Sequence, residues 1–253
     1  MEKKGTFKFI VEPFKCDFSG HIMLSNLGNY MLNAADFHAA ERGFGYNDLM
    51  EQNKAWVLSR FVIELNEYPV MYDKLCISTW VESAMKFFTR RNWSIEDEKG
   101  KVFGYGSSVW AMIDIDSRQP TNILSVNDGC MANYVASEDT VPIDSPSRVG
   151  MDEKGAHLVG EVIVTYSDID INGHTNSVRY IEHVLNLFSL EWHKAHTIRR
   201  IEVAYVAESY HGDKLRFYSD HQTDETVCIR ICRVMPNDEE REVCRVKVNG
   251  FRL

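Results

Sequence analysis

Five consecutive residues, Asp170-Ile171-Asn172-Gly173-His174, place a carboxylate, an amide and an imidazole within one short stretch of chain, directly before an amphipathic helical pattern. A glycine there lets a ligand approach the backbone closely, and amides at a helix start can stabilise a negative oxygen developing on an attacked carbonyl. A thioester carbonyl suits such a site. The same residues also suit a plain Asn-Gly turn with an aspartate helix cap, which needs no catalysis. A second carboxylate, Glu208, stands at the end of the next expected strand, where a polar residue before a turn is also the ordinary surface pattern.

An internal repeat strengthens the chemical reading. Asp17-Phe18-Ser19-Gly20-His21 matches Asp170 to His174, and the block from Ser59 to Leu75 lines up without gaps on Arg199 to Leu215, in register at Asp-Lys-Leu. At the matched positions the first copy carries Ser19 for Asn172 and Tyr68 for Glu208. The two copies are therefore chemically unequal, and the second is the one equipped for catalysis.

The elements that must position these residues follow the same repeat. Leu27, Tyr30, Met31, Ala34 and Ala35 share one helix face after the first motif, and Ile181, Val184, Leu185, Phe188 and Trp192 share one after the second. Ser25 and Ser177 are the expected helix caps. Strands are expected at 76–81, 87–95 and 102–115, with counterparts at 216–219, 227–234 and 242–251; polar turns at 97–100 and 236–239 close hairpins. Each half reads as a strand, a long helix packed on a curved antiparallel β-sheet, and the rest of that sheet: an α+β tandem double hotdog. The expected boundaries are an N-terminal domain at 1–125, a linker at 126–156 containing Pro142 and Pro146, and a catalytic C-terminal domain at 157–253.

Composition narrows the function classes. The chain of 253 residues has a formal net charge of -9, which argues against a general nucleic-acid binder, since phosphate neutralisation needs a surplus of Lys and Arg. It has neither a signal-peptide core nor an apolar run of the roughly 20 residues that cross a bilayer, and its six cysteines form no Cys-x-x-Cys pair, so a reduced, cytoplasmic protein without membrane insertion is expected. His193-x-x-His196 lacks a third ligand with suitable spacing, so no metal is expected. Gly104-Tyr105-Gly106 lies in a strand rather than a phosphate loop, and Ser107 and Ser108 lie outside a Gly-x-Ser-x-Gly elbow. Neither a nucleotide nor any other cofactor is expected, and a serine hydrolase is unsupported.

From about Phe9 to Leu253 the chain resembles the acyl-ACP thioesterases of plants and bacteria. The motifs that carry the resemblance are Asp168 to Ile181, Trp56-Val57-Leu58-Ser59-Arg60 and Thr89-Arg90-Arg91-Asn92-Trp93. The resemblance implies a tandem double hotdog in which Asp170, Asn172 and His174 act with Glu208, and the backbone near Gly173 serves the oxyanion. Many plant members carry a cysteine after that glutamate, where this chain has Ser209, so a cysteine nucleophile is not implied. Two routes stay open: water activated by Asp170 or Glu208, with His174 orienting the base or stabilising charge and Asn172 holding the water or substrate, or direct attack by a carboxylate. The implied partner is acyl carrier protein, a small acidic protein, for which Lys86, Arg90 and Arg91, or Arg199 and Arg200, are the candidate contacts. Acyl-CoA hydrolysis and non-catalytic binding of acyl thioesters are the competing readings, and a homodimer is compatible with the plan.

Overall fold

The computed structural model describes residues 2–152, 154–223 and 225–252. Two compact units divide at Pro146 and Ser147. The first contains β1 (Lys4–Ile10), α1 (Leu24–Ala40), the short α2 (Tyr46–Met50), and strands β2 (Lys54–Leu65), β3 (Lys74–Ala84), β4 (Phe88–Asp97) and β5 (Val102–Asp114). The second contains β6 (His157–Ile163), α3 (Ser177–Leu185), α4 (Leu190–Ala195), β7 (His196–Tyr205), β8 (Lys214–Thr223), β9 (Thr226–Val234) and β10 (Glu240–Arg252).

The strands run β1-β3-β4-β5-β2 in the first unit and β6-β8-β9-β10-β7 in the second, so the two orders correspond strand for strand. The intra-unit pairings are antiparallel. This is the α+β double-hotdog fold.

Helix α1 buries Leu27, Tyr30, Met31, Ala34 and Ala35, the face expected from their spacing. It lies so close to its sheet that the Trp93 indole donates to Met31 O at 2.8 Å, and a Cβ on Gly106 would stand 2.1 Å from Met31 Cε. A Cβ on Gly104 would likewise stand 2.3 Å from Glu64 O, so close packing accounts for both glycines of the Gly-Tyr-Gly run.

The helix of the second unit is shorter than expected. Ile181 and Val184 are buried on α3, but that helix ends at Leu185, and α4 restarts at Leu190 with the Ser189 hydroxyl accepting from the Trp192 amide at 3.1 Å. Phe188 and Trp192 stack on each other with ring centroids 4.3 Å apart instead of extending the α3 stripe. A Cβ on Gly160 would stand 2.7 Å from Leu187 Cδ2, so the chain at the break packs tightly on β6.

Two expected caps are also corrected. Ser25 is buried within α1, whose cap position is Met23; at α3 the Asn176 side chain, not Ser177, accepts from the Val178 amide at 3.1 Å. His193 and His196 are held by backbone carbonyls, Leu185 O at 3.0 Å and Trp192 O at 2.9 Å.

The segment expected as a linker from 126 is in large part structure of the first unit. A 3-10 run over Ile123–Tyr134 buries Ile123, Val126 and Met131 against Ala39, Phe44, Leu49 and Met112. Beyond it, the Ala136 amide donates to Val81 O at 2.8 Å and the Trp80 indole donates to Asp139 O at 2.6 Å. No apolar periodicity announces this, because an irregular chain can bury single side chains without a repeating stripe. Among the described residues no helix is long and apolar enough to cross a membrane.

Candidate active site

The second motif folds as a tight turn laid against the loop after β7. The Asp170 amide donates to His174 O at 2.9 Å, the Gly173 amide returns to Asp170 O at 3.0 Å, and Asp170 Oδ1 accepts from the Asn172 amide at 2.8 Å. Gly173 has φ +79°, a left-handed conformation that its missing Cβ makes inexpensive. The turn presents Asn172 at its exposed tip and His174 half-buried at its base.

The loop after β7 is fixed by its own turn: Tyr210 N donates to Asp213 Oδ2 at 2.8 Å, and the Val206 and Ala207 amides share Val243 O. Thr175 N donates to Ser209 O at 2.8 Å and joins the two segments. That junction brings His174 Nε2 to 3.4 Å from Glu208 Oε2. Tyr210, which sequence reasoning missed, donates its hydroxyl to the same Glu208 oxygen at 3.0 Å and sets its ring edge-on to His174 at 5.1 Å. Its only sequence signal is its place two residues beyond Glu208, which in an irregular loop indicates nothing about direction.

Behind this surface lies Asp168, buried, with Oδ1 3.1 Å from His183 Nε2 and Oδ2 accepting from the Thr165 amide and hydroxyl at 2.7 and 2.8 Å. Burial opposes its charge, but the Thr165 hydrogen bonds, with His183 and Arg179 nearby, outweigh that and hold the carboxyl below the usual carboxylate range. Its carbonyl accepts from Asn176 N at 2.8 Å, which ties the turn to the start of α3.

The first unit repeats this backbone and lacks the polar pair. Asp17 N donates to His21 O at 2.8 Å, Gly20 N to Asp17 O at 3.1 Å, and Ile22 N to Pro69 O at 3.0 Å. There His21 packs edge-on against Tyr68, 5.8 Å between centroids, and its Nδ1 lies 2.6 Å from the Ser19 hydroxyl. The two copies share the turn's backbone bonds and differ in the side chains they carry, His174 with Glu208 in the second and His21 with Tyr68 in the first.

Several expected roles are revised. Helix α3 begins at Ser177, so Gly173 precedes the helix, and its amide is committed to Asp170 O rather than presented to an oxyanion. Arg90 and Arg91 are neighbours on a strand and so face opposite ways. Arg90 is paired with Glu82 at 3.2 Å; Arg91 is buried, donating to Thr79 Oγ1 and His38 Nδ1, each at 3.2 Å. Burial and the Arg91 cation press the His38 pKa down to about 3, which keeps its imidazole neutral and able to accept from Arg91. Arg200 is held by the buried Glu202 at 2.9 Å. Of the five basic residues only Lys86 and Arg199 are exposed.

Comparison with known proteins agrees with this geometry. The family model for the acyl-ACP thioesterase N-terminal domain matches residues 2–134, and that for the acyl-ACP thioesterase C-terminal domain matches residues 152–249. The solved structure of an acyl-ACP thioesterase from Bacteroides thetaiotaomicron is 44% identical and superposes with a TM-score of 0.90 over 98% of both chains. A palmitoyl-acyl carrier protein thioesterase of Gossypium hirsutum is 28% identical over 87% of this chain, and an oleoyl-acyl carrier protein thioesterase of Coriandrum sativum is 25% identical over 88%. The chain spans 56% and 64% of the length of these two curated relatives. Two family models in tandem order, matched on the two halves of an internal repeat, place this chain in the acyl-ACP thioesterase family.

Proposed function

We propose that the protein hydrolyses the thioester of acyl-[acyl carrier protein] and releases a free fatty acid, so ending elongation of the carrier-bound chain. The observation that carries this reading is the 3.4 Å approach of His174 to Glu208 in the second unit, set against His21 and Tyr68 at the matched place in the first. In this reading the second unit supplies the chemistry and the first holds the acyl chain.

Glu208 acts as general base and takes a proton from a water, whose oxygen attacks the thioester carbon. His174 and the Tyr210 hydroxyl flank Oε2 of that carboxylate and orient it. Asn172, exposed at the turn tip, donates to the carbonyl oxygen as it becomes negative. Asp170 is a positioning residue, because its Oδ1 holds the turn through the Asn172 amide. The carbon–sulfur bond then breaks, and the departing thiolate takes up the proton. Of the two candidate basic clusters, Lys86 in the one or Arg199 in the other is the exposed residue that can meet an acidic carrier protein. Six free thiols support a reducing compartment.

The test is release of free fatty acid from acyl-ACPs of graded chain length beside the matching acyl-CoAs. Faster turnover on the carrier protein is the expected result. Preference for CoA would reassign the donor, and no turnover on either would make this a binding protein. Glu208→Ala is expected to lower kcat/KM by about 10²- to 10⁴-fold, the contribution typical of general-base assistance, with unchanged thermal unfolding. Activity near that of the wild type in this variant would remove Glu208 from the reaction.

A further inference from the structure

Three buried hydroxyls meet beneath the His174 and Glu208 pair. Ser209 Oγ lies 2.7 Å from Thr175 Oγ1 and 2.7 Å from Tyr180 OH, and Thr175 Oγ1 is 3.2 Å from Ser209 O. Ser209 is 0% exposed, Tyr180 3% and Thr175 6%, so water does not supply their partners. One assignment of protons satisfies all three: Tyr180 donates to Ser209, Ser209 to Thr175, and Thr175 to the Ser209 carbonyl. Burial pushes the Tyr180 phenol above its usual range, so it stays protonated and remains a donor. Thr175 follows His174 in the chain, and Ser209 follows Glu208.

The internal repeat shows that the fold does not need this cluster. The matched positions in the first unit are Ile22, Pro69 and Leu27, all buried and all apolar. There the two loops are joined by backbone bonds, Ile22 N to Pro69 O at 3.0 Å and Met71 N to Gly20 O at 2.9 Å, with no side-chain hydroxyl at the matched positions. Buried hydroxyls are costly to place and gain little net stability over well-packed apolar groups of the same shape. They occur in the copy that has Glu208 and not in the copy that has Tyr68.

We propose that Thr175, Tyr180 and Ser209 form a hydroxyl lock that positions His174 against Glu208 for the hydrolysis. The inference rests on the functional reading above and adds three residues that act through their neighbours without touching substrate. Thr175 and Ser209 are the chain neighbours of His174 and Glu208, so the directional hydrogen bonds between their hydroxyls bear on the separation of the two loops, and Tyr180 ties Ser209 to α3. A displacement of about 1 Å at such a pair costs on the order of 100-fold in rate.

The test uses the whole chain with Thr175→Val, Tyr180→Phe and Ser209→Ala combined, which removes every hydroxyl of the cluster and leaves no orphaned partner. The expected result is a kcat lower by roughly 10- to 100-fold with KM changed by less than about 3-fold, a shifted pH–rate profile and thermal unfolding close to that of the wild type. Thr175→Ser, which keeps the hydroxyl, is expected to retain kcat where Thr175→Val does not. That pair decides the matter should the triple variant fail to fold. Wild-type kcat and pH profile in the triple variant, or equal kcat in the two Thr175 variants, would overturn the lock while leaving the hydrolase reading intact. A wild-type protein without turnover on any acyl thioester overturns both.

Discussion

His174 and Glu208 are 34 residues apart in sequence and 3.4 Å apart in space, and nothing in either side chain specifies that approach. It is produced by residues whose task is to hold the turn. Asp168 is the most heavily committed of them, with Oδ2 taking both Thr165 donors, Oδ1 3.1 Å from His183 Nε2 and its backbone carbonyl taking the Asn176 amide. Because its folded pKa is depressed, its stabilising contribution is fully present above the unfolded value of about 3.9 and is lost as pH falls through the lower, folded value. Asp168→Asn is therefore expected to destabilise the protein at neutral pH and to flatten the dependence of stability on pH below about 4. Urea titrations at a series of pH values check this; an unchanged acid limb in the variant would show that Asp168 is not its source. The residues that could do chemistry were legible from type and spacing. Their partners Tyr210, Thr175 and Tyr180 were not, since their contacts cross between loops and each looks in sequence like an ordinary loop or helix residue.

At the scale of elements, α3 shows how one side chain decides where a helix begins. Both Asn176 and Ser177 are good cap types, and sequence preference does not rank them in this context. The tertiary bond from Asn176 N to Asp168 O holds residue 176 in an extended conformation, with φ -59° and ψ 137°, and leaves its side chain to take the Val178 amide. Asn176→Ala is expected to cost about 1 kcal/mol, whereas Ser177→Ala should fall within about 0.5 kcal/mol of the wild type, as surface substitutions usually do. Chemical denaturation distinguishes them, and equal losses would return the cap to Ser177. The early end of α3 has a similar origin. The apolar spacing from Ile181 to Trp192 fits one helix, yet Ser189 offers a competing start by taking the Trp192 amide.

For the molecule as a whole, the division of the chain lies near Pro146, and residues 123–139 complete the first unit. A tether would tolerate truncation of its side chains. Met131, 3% exposed in the cluster with Phe44 and Leu49, should not: Met131→Ala is expected to cost about 2–5 kcal/mol, the range for emptying a core methionine site. A loss under about 0.5 kcal/mol would restore the linker reading. The tandem plan itself was determined by sequence alone, because the motif, the helix face and the gapless strand block each leave a local record that survives without coordinates. The helix faces behave the same way, since periodicity along a chain becomes a buried stripe whatever it packs against. Tertiary structure alone decided which polar residues are spent and which are available. Arg91 and Arg200 read as surface charge until their strands assign them to buried partners, Thr79 and His38 for the first and Glu202 for the second. Gly173 reads as an oxyanion donor until the turn takes its amide. Hydrogen bonds and burial depend on what arrives from elsewhere in the chain, and that information is carried by the fold rather than by any local stretch of sequence.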